Sequence, residues 1–143
     1  MKVKQLEISL GKKSDRLADI SHALAENAIN IRALSLTDTA DSGILRLMVN
    51  DTTKAQQVLA AKGFTVSLTD VLAVEVPDKP GALDRILQLV RKAGLNVENM
   101  SAFSKKSGES GMLLFRFDNQ DAAMTVFQKS GYRLLSDDEI HSL

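Results

Sequence analysis

The amino-acid sequence predicts an α+β chain of two tandem βαββαβ units, each an antiparallel sheet with both helices on one face. Three observations carry this. The chain matches itself at a shift of 66 residues. Apolar residues in each half switch between a period of two and helical spacing. The only two prolines share one turn, "PDKPG" at 77–81, between a strand-like run and a helix-like one.

The self-match keeps its order through both halves. "LGKKSDRLADI" (10–20) falls on "VPDKPGALDRI" (76–86), and "AENAINIRAL" (25–34) falls on "RKAGLNVENM" (91–100). Leu17 meets Leu83, Ile20 meets Ile86 and Asn30 meets Asn96. Further on the shift grows by one or two residues, so "KGF" (62–64) meets "SGY" (130–132), as a longer loop in the second copy would require. Such ordered matching marks a duplication, with copies at 1–69 and 70–143.

Within the first copy, Leu6, Ile8 and Leu10 alternate with polar residues as a half-buried strand does. Leu17, Ile20 and Leu24 follow at helical spacing, with Ser14 as N-cap. "NIRALSLT" and "GILRLMVN" are β-prone runs joined by "DTADSG", a hairpin signal. Ala55, Val58 and Leu59 give a second helix, capped by Asp51 or Thr52, and "FTVSL" closes the unit. The second copy predicts a strand at 71–76 and a helix at 81–93. Strands follow at 96–103 and 112–117 around "KKSGESG", then a helix at 120–129 and a strand at 131–135. A capping box, Ser136 to Glu139, starts a short tail helix. This element order is the ferredoxin-like, split βαβ arrangement. One face of each sheet is left to solvent or a partner, and a unit of this size buries only a modest core, so association as a homodimer is expected.

Composition narrows the function. Lysine plus arginine equals aspartate plus glutamate at 18 each, which leaves no basic footprint for nucleic acid or an anionic membrane. Aromatics at 4% leave the strands without the stacking platform of an RNA-recognition module. No apolar run approaches the ~20 residues that span a bilayer, and the alternating N-terminus is no signal peptide, so the cytoplasm is the expected address. Zero cysteines exclude thiol catalysis and thiolate metal sites. An acylphosphatase-type enzyme would need Arg16 and Asn50 as phosphate and water positioners, with nothing else in support. His22 and His141 read as surface residues. Asp137, Asp138 and Glu139 read as helix-start acids rather than a metal site. Arg46 and Arg116 interrupt apolar strands and should reach the open sheet face, to pair with Glu7 or Glu75 or to meet another subunit. No nucleophile–base pair appears, so no enzyme and no cofactor are expected.

Two stretches carry a family resemblance: "DKPGALDRILQLVRKAGLNVENM" (78–100) and "KSDRLADISHALAENAINIRALS" (13–35). With the full element order and the duplication, the chain resembles the ACT domain family, small regulatory modules that bind amino acids. It looks most like stand-alone tandem members with no attached enzyme domain. The resemblance implies a free amino acid held between units, by the turn after strand one of one unit and the start of strand two of the other. On this chain those positions are Asp78, Lys79, Pro80, Gly81, Ala82, Leu83 and Asn96, with Asn30, Lys13 and Ser14 from the first copy. The amides at the helix start offer donors to a carboxylate, and Asp78 offers an acceptor to an ammonium. The first copy departs from the pattern, with Lys12, Ser14 and Asp15 standing where Asp78, Pro80 and Gly81 do. The two sites are therefore expected to be unequal, the 77–83 turn being the better. The competing class is a ligand-free interaction module that dimerises or docks on a metabolic enzyme.

Overall fold

A computed structural model describes residues 2–11, 16–38, 43–104 and 110–141. They fall into two compact units, one built on Lys4–Thr69 and the other on Asp70–Asp137. The loops "DTADSG" and "KKSGESG" lie largely outside the described residues. The elements in order are β1 (Val3–Gly11), α1 (Arg16–Glu26), β2 (Ile31–Asp38), β3 (Gly43–Val49), α2 (Thr52–Ala61) and β4 (Thr65–Pro77). Then come α3 (Ala82–Lys92), β5 (Val97–Ser104), β6 (Ser110–Phe117), α4 (Gln120–Lys129), β7 (Leu134–Leu135) and α5 (Asp137–His141). No helix among the described residues is long and apolar enough to cross a membrane.

The twice-repeated βαββαβ order is present, with one economy. Residues 65–77 form a single 13-residue strand where two had been expected, "FTVSL" and 71–76. Nothing from Thr65 to Val76 is glycine or proline, so the chain has no break there. β4 thus closes the first unit and opens the second. The last strand is shorter than the expected 131–135. Gly131 sits at φ +81 and ends α4, leaving only Leu134 and Leu135 to pair with Val74 and Ala73.

In the first unit β2 and β1 flank β3, both antiparallel to it. In the second the order is β7-β4-β6-β5. Both copies carry a register irregularity at the same place, between Ile31 and Ala33 and between Val97 and Asn99. The shared bulge is the duplication seen in backbone geometry.

Each unit has its own core between helices and one sheet face. Leu6, Ile8, Leu45 and Leu47 meet Ile20 and Leu24 of α1 and Ala55 and Leu59 of α2. In the second unit Leu72, Val74, Phe115 and Phe117 meet Ile86, Val90, Ala123 and Phe127. Phe127 stands 6.0 Å from Phe115, 5.6 Å from Phe117 and 6.0 Å from Tyr132, the last edge-on. The opposite face of the second sheet is not simply left to solvent, since Ala73, Met112 and Leu114 are buried there.

The strand arginines find carboxylates, with one exchange of partners. Arg46 lies 3.5 Å from Glu7, directly across the β1–β3 ladder. Arg116 pairs with Glu98 at 3.6 Å instead of Glu75, which takes Arg133 at 2.7 Å.

Candidate ligand-binding site

The two prolines bracket the turn that joins β4 to α3. Pro77 ends the strand, and the Lys79 amide donates to its carbonyl at 3.0 Å. Ala82 then donates back to Lys79 at 3.3 Å. Gly81 lies at φ +88, ψ −10, the third-position geometry of a type II turn, with Pro80 in the second position that suits it. Pro80 therefore precedes the N-cap, Gly81, and does not open the helix itself. A Cβ on Gly81 would meet nothing within 4 Å, so glycine is needed here for its backbone conformation.

The same turn leaves the start of α3 without a side-chain cap. Its counterparts later in each copy are capped. Asp51 accepts from the Lys54 amide on α2, and Asn119 accepts from the Ala122 amide on α4, both at 3.1 Å. An uncapped helix start keeps donors and the positive end of the dipole available to an anion. α3 is also strongly two-sided: Ala82, Ile86 and Val90 are buried, while Arg85, Arg91 and Lys92 face water.

Beneath the turn lies a pocket of about 290 Å³. Asp78 and Lys79 stand at its rim. Val76, Ala82, Leu83, Ala102, Met112 and Leu113 supply its apolar walls, together with Pro77 and Gly111. Strand register assembles the far wall, since Leu113 lies between Val74 and Ala102, and Gly111 between Val76 and Ser104. Of the residues expected from sequence, Asp78, Lys79, Ala82 and Leu83 line the pocket, and Pro80 and Gly81 shape the turn. Lys13 and Ser14 lie outside the described residues. Ala102, Gly111, Met112 and Leu113 were not expected. The repeat alignment held a usable signal for one of them, because Ala102 stands where the first copy has the bulkier Leu36.

Asn30 and Asn96 each sit at the exposed start of a strand in their own unit. The Asn96 amide donates to Asp118 Oδ1 at 3.1 Å and its side chain to Oδ2 at 3.2 Å, while Asp118 donates its amide back to the Asn96 carbonyl. The Asn96 backbone amide, with its side-chain amide and the Asn119 amide, holds the Asp118 carboxyl below its ordinary range. In the first copy the Asn30 amide donates to Asn50 Oδ1 at 2.9 Å and Asn50 returns its own amide to Asn30. These clasps tie strand two to the end of strand three.

At the corresponding strand positions of the first copy the side chains are larger. A Cβ on Gly43 would meet Leu10 Cδ1 at 3.5 Å and Leu36 Cδ1 at 3.7 Å. Val76 and Ala102 hold the corresponding positions in the second copy and are shorter. Where α3 begins with Ala82, α1 begins with Arg16, which donates to the Leu10 carbonyl at 3.4 Å and lies 4.7 Å over the Phe64 ring. Arg16 and Asn50 are thus both spent on their own unit. Among the described residues no group of three or more His, Asp or Glu could hold a metal ion. His22 is exposed and pairs with Glu26 at 2.8 Å, one turn along α1.

The family model described as "ACT domain pair" matches residues 1–143. The chain belongs to the ACT domain pair family. Among solved structures, protein BT0572 from Bacteroides thetaiotaomicron is 34% identical with a TM-score of 0.94, covering 100% of this chain and 98% of that one. The regulatory subunit of aspartate kinase from Thermus thermophilus, in its ligand-free form, shares the fold at 16% identity and a TM-score of 0.63, covering 90% and 91%. The Thermus flavus subunit does so at 17% and 0.58, covering 89% and 91%. No curated protein matches the sequence.

Proposed function

We propose that this ACT domain pair is a regulatory protein that senses a free amino acid, held at the turn between β4 and α3. The observation that carries the reading is the pocket itself, which joins an uncapped helix start, the Asp78 carboxylate and an apolar hollow within one unit. The ligand carboxylate takes the first-turn amides of α3, where the helix dipole favours negative charge. Asp78 accepts from the ammonium, and Lys79 adds positive charge beside the carboxylate. The same reading makes the chain a cytoplasmic homodimer that acts on a metabolic enzyme and not a catalyst. The larger side chains of the first copy, Leu10, Leu36 and Arg16, support unequal sites.

A thermal-shift screen against the twenty free amino acids tests this. A ligand at ~100 times its dissociation constant stabilises the fold by about 2.7 kcal/mol. For a chain of this size the midpoint rises by about 5–10 °C. The shift is expected for a subset of the panel and is lost in Asp78→Ala. A flat panel refutes the sensor reading.

A second reading draws on the strands at the sheet ends. Leu34 is 64% exposed, Leu36 50% and Met100 42%, an unusual apolar load for edge strands. That favours the ligand-free interaction module, which a flat screen together with a stable dimer in sedimentation would establish.

A further inference from the structure

We infer that the pocket under the 77–83 turn selects an amino acid with an uncharged, apolar side chain, and that each chain holds one such ligand. This rests on the sensor reading above and narrows it. The polar groups of the site, Asp78, Lys79 and the start of α3, lie together at the rim. Behind them the walls are hydrocarbon: Val76, Ala82, Leu83, Ala102 and Leu113. A zwitterion that engages Asp78 and Lys79 at the rim sends its side chain toward walls that, among the described residues, carry no further charged group. Burying a charged side chain unpaired is strongly unfavourable, whereas each methylene placed there is favourable. At about 290 Å³ the space is near the small end of ligand pockets, suited to a leucine- or methionine-sized group.

The limit of one ligand per chain comes from the first copy. Leu36 and Leu10 converge on Gly43 there and Arg16 is held against the Leu10 carbonyl, so larger side chains stand where Ala102, Val76 and Ala82 do in the second copy. The first copy in effect carries out the substitution Ala102→Leu and remains folded. That makes Ala102→Leu a direct test that leaves the turn untouched.

The experiment is isothermal titration calorimetry of the full chain with L-leucine, L-methionine, L-alanine, L-aspartate and L-lysine. Leucine or methionine should bind with one site per chain, at least ~10-fold more tightly than alanine. Aspartate and lysine should be at least ~100-fold weaker than the best ligand. Ala102→Leu should weaken that ligand by ~10-fold or more with an unchanged melting midpoint. Should that variant fold poorly, Leu83→Ala alters an exposed wall residue and should weaken leucine ~10-fold. Tighter binding of aspartate or lysine, two sites per chain, or affinity indifferent to both variants overturns the inference and leaves the sensor reading standing. Binding of no amino acid overturns both.

Discussion

Ala28 is a non-glycine residue at φ +56, in a position where the other long helices use glycine. All four long helices end in the same motif. The residue after the C-cap donates three positions back, and the next residue donates five back. In α3 these are Gly94 to Arg91 at 3.1 Å and Leu95 to Val90 at 3.2 Å. In α1 they are Ala28 to Ala25 at 3.1 Å and Ile29 to Leu24 at 2.9 Å. An alanine in the left-handed region costs ~1–2 kcal/mol. Glycine would remove that strain but bring back ~0.4–1 kcal/mol of unfolded-chain entropy. Ala28 is exposed, so little packing is lost. Ala28→Gly should therefore stabilise by about 0.5–1 kcal/mol, or ~2–4 °C in midpoint. Gly94→Ala, with nothing within 4 Å of a new Cβ, should cost about as much. Scanning calorimetry and urea midpoints on both variants measure this. A lower midpoint for Ala28→Gly, or no loss for Gly94→Ala, refutes the backbone argument.

Three further outcomes follow from other parts of the fold. Phe127→Ala empties the centre of an aromatic cluster and should cost ~3–5 kcal/mol, read as a loss of urea midpoint. Asn119→Ala removes the α4 cap and should cost ~1 kcal/mol in the same assay. Asp118 has a carboxyl held below its ordinary value of 3.8, so its contribution is present above that value and fades as pH falls through the lowered one. Asp118→Asn keeps an acceptor, as Asn50 does in the first copy. The wild-type advantage over it should shrink between pH 5 and the acid side of 3.8, in midpoints taken at several pH values. A constant gap would contradict the clasp.

Much of the fold was legible because it rests on local chemistry. Period-two and helical apolar patterns located the strands and helices of both copies, and of the two caps offered for α2, Asp51 and Thr52, Asp51 takes the role. The joined strand β4 was less legible, since the repeat boundary drew attention to an ending that no residue enforces. The helix is expected from residue 81, but Gly81 takes the left-handed turn position and moves its start to Ala82. The rim of the site was legible for a related reason: "PDKPG" is turn chemistry written in sequence. Its walls were not. Ala102, Gly111 and Leu113 reach the pocket through antiparallel register, which pairs residues distant in the chain. Arg116 illustrates the same limit, because register sets Glu75 opposite Met112 and brings Asn99, beside Glu98, opposite Arg116.

The most direct test of the central claim is to locate the ligand on the chain by amide chemical-shift mapping of the labelled protein during titration with leucine. Shifts are expected at Lys79, Gly81 to Asp84, Ala102 and Gly111, with Gly11, Arg16, Leu17 and Leu36 unmoved. Shifts centred on the first-copy turn, or none anywhere at saturating leucine, would contradict the claim.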